Sequence, residues 1–116
     1  MGEIVVTETG EPQVLEWTER ERPSIGRGQL LVSTVAAGLN YIDTYHRRGI
    51  YPLSLPFVPG LEGSGVVQGI GDDVVGFAPG DRVAWTDQLG SYAEDVVIDA
   101  ERAVGVPAEI SPMTAA

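Results

Sequence analysis

Glycine and proline are spread through the whole chain, and this spread limits the length of every regular segment. The 116 residues include 15 Gly and 8 Pro. Both residue types interrupt helices and strands, so the uninterrupted segments between them are short. Many short elements joined by turns favour a mainly β barrel or sandwich over a bundle of helices. With 43% hydrophobic residues, a chain of this length can bury the core of one domain.

The charge balance excludes several classes of partner. The formal net charge is −10, and all seven basic residues are Arg. Binding to nucleic acid or to anionic lipid needs clustered positive charge, so neither partner is expected. No apolar run approaches the length of a membrane span, and the N-terminus lacks the basic and apolar parts of a signal peptide. We therefore expect a cytoplasmic protein without a membrane segment.

The residues that usually bind metals are almost absent. The chain has no Cys and one His. A disulfide framework is therefore impossible, and a zinc site would need three carboxylates or ligands from outside the chain. We predict no metal site.

Alternating and β-branched segments predict the strands. The run at 29–38 is the strongest, and both of its faces are mostly apolar, so we expect it to be buried on both sides. Glycines at 60, 63 and 65 precede a further run at 66–70 and indicate a bent strand rather than a phosphate loop. The other predicted strands are 4–7, 14–18, 82–85, 91–98 and 103–104.

One short helix has matching signals at both ends. Asn40 is a good N-cap for a helix over 41–48, and Asp43 places a negative charge in its first turn. Two arginines occupy the last turn, and Gly49 follows it. The next segment, 51–59, contains three prolines and is predicted to be an irregular loop.

Three segments in this order resemble a known superfamily. They are residues 36–52, from Ala-Ala-Gly-Leu-Asn-Tyr to Arg-Gly-Ile-Tyr-Pro; residues 56–67, Pro-Phe-Val-Pro-Gly-Leu-Glu-Gly-Ser-Gly-Val-Val; and Gly-Asp-Arg-Val at 80–83, followed by Gly-Ser-Tyr-Ala-Glu at 90–94. The set is similar to the N-terminal domain of medium-chain dehydrogenases/reductases, and most similar to the zeta-crystallin-type quinone oxidoreductases. The resemblance implies a GroES-like, partly open β-barrel with short helices.

The same resemblance separates this chain from the zinc enzymes. Zinc alcohol dehydrogenases have Cys where this chain has Asn40 and His where it has Leu61, and neither replacement is a useful zinc ligand. Glu62 is retained, but one carboxylate does not make a site. The hydroxyl that relays the alcohol proton is replaced by Ile42. What remains is metal-free hydride transfer from the nicotinamide of NADPH to a good electrophile.

The resemblance also assigns site residues. Asn40 aligns with a position at the nicotinamide end of the cleft, where an amide can orient the cofactor or the substrate, although it could equally be a plain N-cap. Tyr51 aligns with a tyrosine that contacts NADPH, and the alternative is packing under the loop. Tyr45 lines the acceptor pocket or packs, and we include it with Asn40 as a catalytic candidate.

The other polar residues of the helix have simpler explanations. Asp43 is expected to compensate the helix dipole, with substrate contact as the alternative. His46 is expected on a solvated helix face. Arg47 and Arg48 are interpreted as complementing the C-terminal end of the helix rather than binding a cofactor phosphate.

The predicted activity is NADPH-dependent reduction of a quinone or an activated enone. An enoyl reductase of the polyketide-synthase type and a non-enzymatic GroES-like binding module are the alternatives. Residues 1–109 are assigned to the catalytic domain. Ser111 and Pro112 begin a helix within 110–116 that would lead to an absent Rossmann domain. We expect a truncated chain that is inactive alone, and the resemblance implies a dimer of the full-length protein.

Overall fold

Seven strands and two short helices make up the computed structural model, which describes all of residues 1–116. The strands are β1 (Gly2–Val5), β2 (Glu16–Glu19), β3 (Gln29–Ala37), β4 (Gly63–Ile70), β5 (Arg82–Trp85), β6 (Asp95–Asp99) and β7 (Ala103–Gly105). The helices are α1 (Tyr41–Arg48) and α2 (Pro112–Ala115), and single 3-10 turns occur at Pro12–Val14 and Ala100–Arg102. The mainly β fold is confirmed.

The strands form two antiparallel sheets. β1 pairs with β2, and the other five lie in the order β6-β3-β4-β5-β7. Two register shifts interrupt the β3–β4 pairing, and such bulges bend a sheet. Gly65 permits the close pairing, because a Cβ at this position would overlap the carbonyl of Ser33. The result is the predicted partly open barrel, with β6 and β7 as the edges of a curled sheet.

The core lies on the inner face of this sheet. Seven buried residues form its main cluster: Leu30, Val32, Val67, Val83, Trp85, Val96 and Ile98. A second, smaller cluster joins Val6, Val14 and Phe57, so it fixes the proline-rich loop against the N-terminal segment. Burial of β3 on both sides holds only for its first half, because Val35 is 48% exposed.

Three predicted strands have wrong boundaries. β1 covers Gly2–Val5 rather than residues 4–7, because Val6 already bonds to Phe57 instead of to β2. β6 starts at Asp95 and not at residue 91, because the backbone of residues 91–92 bonds to other segments: the Tyr92 N–H donates to the Pro59 carbonyl. The second strand starts at Glu16, since the 3-10 turn occupies the residues before it. The helix start predicted at Ser111 and Pro112 is present, because Ser111 Oγ accepts a hydrogen bond from the Thr114 N–H at 3.1 Å.

Neither helix has the length and hydropathy needed to cross a membrane.

Candidate active site

The helix α1 begins and ends as the sequence predicts. Asn40 has extended backbone angles and forms a capping box with Asp43, whose Oδ2 accepts from the Asn40 N–H at 3.0 Å. Gly49 closes the other end in the left-handed conformation, with φ of 82°, and its N–H reaches the carbonyls of the last turn. A non-glycine residue would be strained there. Both ends of α1 are therefore capped by local interactions.

Three tyrosines, two on this helix and one on the loop that follows it, form a continuous aromatic cluster. The rings of Tyr45 and Tyr51 meet edge to face with centroids 5.4 Å apart, and Tyr41 follows at 6.1 Å from Tyr45. The backbone supports this arrangement, because the N–H groups of Ile50 and Tyr51 both donate to the Tyr45 carbonyl, at 2.9 and 3.4 Å. Tyr51 is 53% exposed and Tyr41 is 81% exposed, so the cluster presents aromatic surface to solvent.

Asp43 faces inward, and sequence reasoning missed its partner. The side chain is buried, and its Oδ2 accepts a hydrogen bond from the Tyr92 hydroxyl at 2.6 Å. Burial raises the pKa of Tyr92 above its usual range, and the hydrogen bond to Asp43 and the negative charge of that carboxylate raise it further. Tyr92 therefore stays protonated and acts as the donor. Compensation of the helix dipole describes only part of what Asp43 does.

The prediction for His46 was wrong. Its side chain is buried rather than solvated, and its ring meets Phe57 edge to face at 6.5 Å. Asp43 and His46 are three residues apart, so they share the inward face of α1. That spacing was the available signal, but the neighbouring arginines suggested a solvated surface instead.

The two arginines of the last turn contact the loop after β1. Arg47 Nε donates to the Gly10 carbonyl at 3.2 Å, and Arg48 lies 3.8 Å from Glu11. These contacts fix the C-terminal end of α1.

The positions that resemble zinc-ligand positions contain no set of metal-binding side chains. No group of three or more His, Cys, Asp or Glu side chains is arranged to hold a metal ion. The Glu62 side chain packs over Gly38, where a Cβ would overlap its carboxylate. The absence of a metal remains a prediction from the sequence.

Gly60 adopts a conformation that favours glycine, with φ of 97°. A Cβ there would overlap both Ser91 Oγ and the ring of Tyr92. The glycine allows the backbone to pack closely under the tyrosine, which agrees with the interpretation as permissive backbone rather than a phosphate loop.

Comparison with known proteins identifies the family to which this chain belongs. The family model for the alcohol dehydrogenase GroES-like domain matches residues 26–108 of this sequence. A quinone oxidoreductase of Pseudomonas aeruginosa is 43% identical over 100 residues, which are 84% of this chain and 31% of that protein. A 2-haloacrylate reductase of Burkholderia is 36% identical over 111 residues, which are 91% of this chain and 33% of that protein.

A solved structure agrees with the fold over nearly the whole chain. The Escherichia coli quinone oxidoreductase complexed with NADPH superposes with a TM-score of 0.96 at 36% identity, covering 99% of this chain and 36% of that one. The chain therefore spans about a third of the length of the relatives it matches. It belongs to the alcohol dehydrogenase GroES-like domain family, among the zinc-independent medium-chain reductases that include the quinone oxidoreductases.

Proposed function

We propose that this chain forms the acceptor side of the catalytic domain of an NADPH-dependent quinone oxidoreductase. Residues 1–109 supply that part, and residues 110–116 begin the connection to a nucleotide-binding Rossmann domain. The observation that supports the proposal most is the exposed tyrosine cluster beside Asn40, in a fold shared with a quinone oxidoreductase complexed with NADPH. The full-length protein is proposed to be dimeric.

The residues present suit the nicotinamide end of the cofactor. The Tyr51 ring offers a half-exposed flat surface and a hydroxyl donor, and the Asn40 amide offers both a donor and an acceptor. None of these groups is suited to bind the pyrophosphate. That binding site is normally provided by the first strand-to-helix turn of a Rossmann domain. We therefore assign the nicotinamide and acceptor contacts to this chain and the phosphate contacts to the rest of the protein.

The proposed roles follow from chemistry and placement. When bound, NADPH supplies a hydride, which carries two electrons to the acceptor, and a proton completes the hydroquinone. Asn40 orients the carboxamide or the acceptor oxygen by hydrogen bonding. Tyr51 and Tyr45 contact the flat rings and exclude water from them, which fixes the transfer geometry.

Reduction of an activated carbon–carbon double bond is the second candidate. The similarity to a 2-haloacrylate reductase supports it, because that name describes an alkene polarised by a carboxylate. The same cluster could hold a conjugated enone, since both acceptors are flat electrophiles.

An acceptor panel tests the proposal. Oxidation of NADPH by the full-length protein is measured with quinones, enones, an enoyl thioester and simple ketones. We expect turnover with quinones and none with simple ketones, which lack an activated electron sink. Preference for the enoyl thioester would favour the enoyl-reductase alternative, and turnover with none of them would favour a binding module. The 116-residue chain alone is expected to be inactive.

A further inference from the structure

The backbone of Tyr92 lies where three segments meet. Its N–H donates to the Pro59 carbonyl at 3.1 Å, and its carbonyl accepts from the Ile4 N–H at 2.9 Å. Its ring packs over Gly60, at a position where only a residue without a Cβ fits. Tyr92 is therefore held by β1 and by the turn that precedes β4.

The hydroxyl of Tyr92 connects these segments to α1. It donates to Asp43 Oδ2 at 2.6 Å, and the same oxygen accepts from the Asn40 N–H at 3.0 Å. Asp43 Oδ1 is buried without a partner. The hydroxyl is thus the one side-chain donor to this carboxylate.

The two ends of α1 are held separately. The C-terminal end is tied to the loop after β1 by Arg47, through its Nε and its carbonyl, both of which bond to Gly10. The N-terminal end, which bears Asn40, is capped locally by Asp43, and the bond between Asp43 and Tyr92 joins this cap to the rest of the fold. Loss of that bond would release the end of the helix nearest the candidate site and leave the other end in place.

We propose that Tyr92 is a positioning residue, which sets the place of Asn40 and Tyr45 through its hydrogen bond to Asp43. This proposal rests on the proposed function. Tyr92 itself does not touch the cofactor or the acceptor in this account. It acts through the carboxylate that caps α1.

The test uses Tyr92→Phe in the full-length protein, with Thr44→Ala as the matched control. The Thr44 hydroxyl donates to the Tyr41 carbonyl at 2.6 Å on the same helix and does not contact Asp43. For Tyr92→Phe we expect kcat with a quinone to fall by about tenfold or more. KM for NADPH should change by less than about threefold, since the phosphates are bound by another part of the protein. Thr44→Ala is expected to leave both constants near those of the wild type.

Hydrogen exchange supplies a readout that does not depend on activity. In Tyr92→Phe the amides of the first turn of α1 should exchange about tenfold faster or more, while those of β3 and β4 keep their protection. Unchanged exchange in α1, or a uniform increase over the whole chain, would overturn the proposal. So would unchanged kcat in an active protein. If the wild type reduces no acceptor, the proposed function fails by itself, and the exchange result then decides whether Tyr92 fixes α1.

Discussion

Tyr45 and Tyr51 pack edge to face, with their ring centroids 5.4 Å apart and their planes at 88°. One ring belongs to α1, and the other belongs to the proline-rich loop that follows it. The contact therefore joins the helix to the loop at the exposed surface where we place the nicotinamide. Edge-to-face pairs of this kind stabilise a fold by about 1 kcal/mol beyond their buried area.

Replacing Tyr51 separates packing from function. In the full-length protein, Tyr51→Ala should lower kcat/KM for the quinone by about tenfold, which corresponds to about 1.4 kcal/mol of transition-state stabilisation. Tyr51→Phe keeps the edge-to-face ring and serves as the control for packing. If Tyr51→Ala lowers only the melting temperature and leaves the kinetics unchanged, Tyr51 is a packing residue.

The two roles considered for Asn40 can also be separated. Ser is about as good an N-cap as Asn, so Asn40→Ser should change the free energy of unfolding by less than about 0.5 kcal/mol. Ser lacks the amide, however, so we expect kcat to fall by about tenfold if the amide orients cofactor or acceptor. Steady-state kinetics and denaturant unfolding measure the two effects. Wild-type kinetics in Asn40→Ser would leave Asn40 as a helix cap alone.

A buried ion pair should contribute strongly to stability. Arg20 Nε lies 2.6 Å from Glu3, and its Nη1 lies 2.8 Å from Asp95, whose side chain is 1% exposed. Arg20→Met leaves the Asp95 carboxylate with only the more distant Arg22 at 3.5 Å. The free energy of unfolding should therefore fall by about 3 kcal/mol.

The matched control for this prediction is Arg27→Met. Arg27 pairs with Asp73 at the surface, where both side chains are mostly exposed, so its loss should cost less than about 1 kcal/mol. Urea unfolding of both variants measures the difference. Equal decreases in the free energy of unfolding would show that the buried ion pairs of Arg20 stabilise the fold no more than the exposed pair of Arg27.

The protonation of Tyr92 predicts a loss of stability in alkali. Its pKa is raised in the folded chain, chiefly by burial and then by Asp43, so the folded state holds a proton that the unfolded state releases. The contribution of Tyr92 is complete below the unfolded pKa of about 10 and decreases as the pH rises above it. Unfolding free energies measured between about pH 9 and pH 11 should fall more steeply for the wild type than for Tyr92→Phe. Parallel curves would contradict this.

Local signals predicted the parts of the fold that local interactions determine. The caps of α1 and the turn at Ser111 follow from residues within one helical turn, and the structure confirms them. The alternation in β3 and the glycines at the start of β4 likewise predicted a bent, mainly β sheet.

What the sequence could not provide are contacts between distant residues. Tyr92 and Asp43 are 49 positions apart, and no local pattern pairs them. The same limitation explains the misplaced start of β6, because the backbone of residues 91–92 bonds to β1 and to residues 59–60, and only the Glu94 carbonyl still accepts from β3. His46 was misjudged because its buried neighbour, Phe57, lies on a separate loop.

We propose that the surface around Asn40, Tyr45 and Tyr51 receives the nicotinamide and the acceptor. A crystal structure of the full-length protein with bound NADPH measures this directly. We predict that the nicotinamide ring lies within contact distance, about 4 Å, of Asn40 or Tyr51, with space for a flat acceptor beside Tyr45. A nicotinamide ring bound away from α1, with all three residues free of the cofactor, would contradict the account.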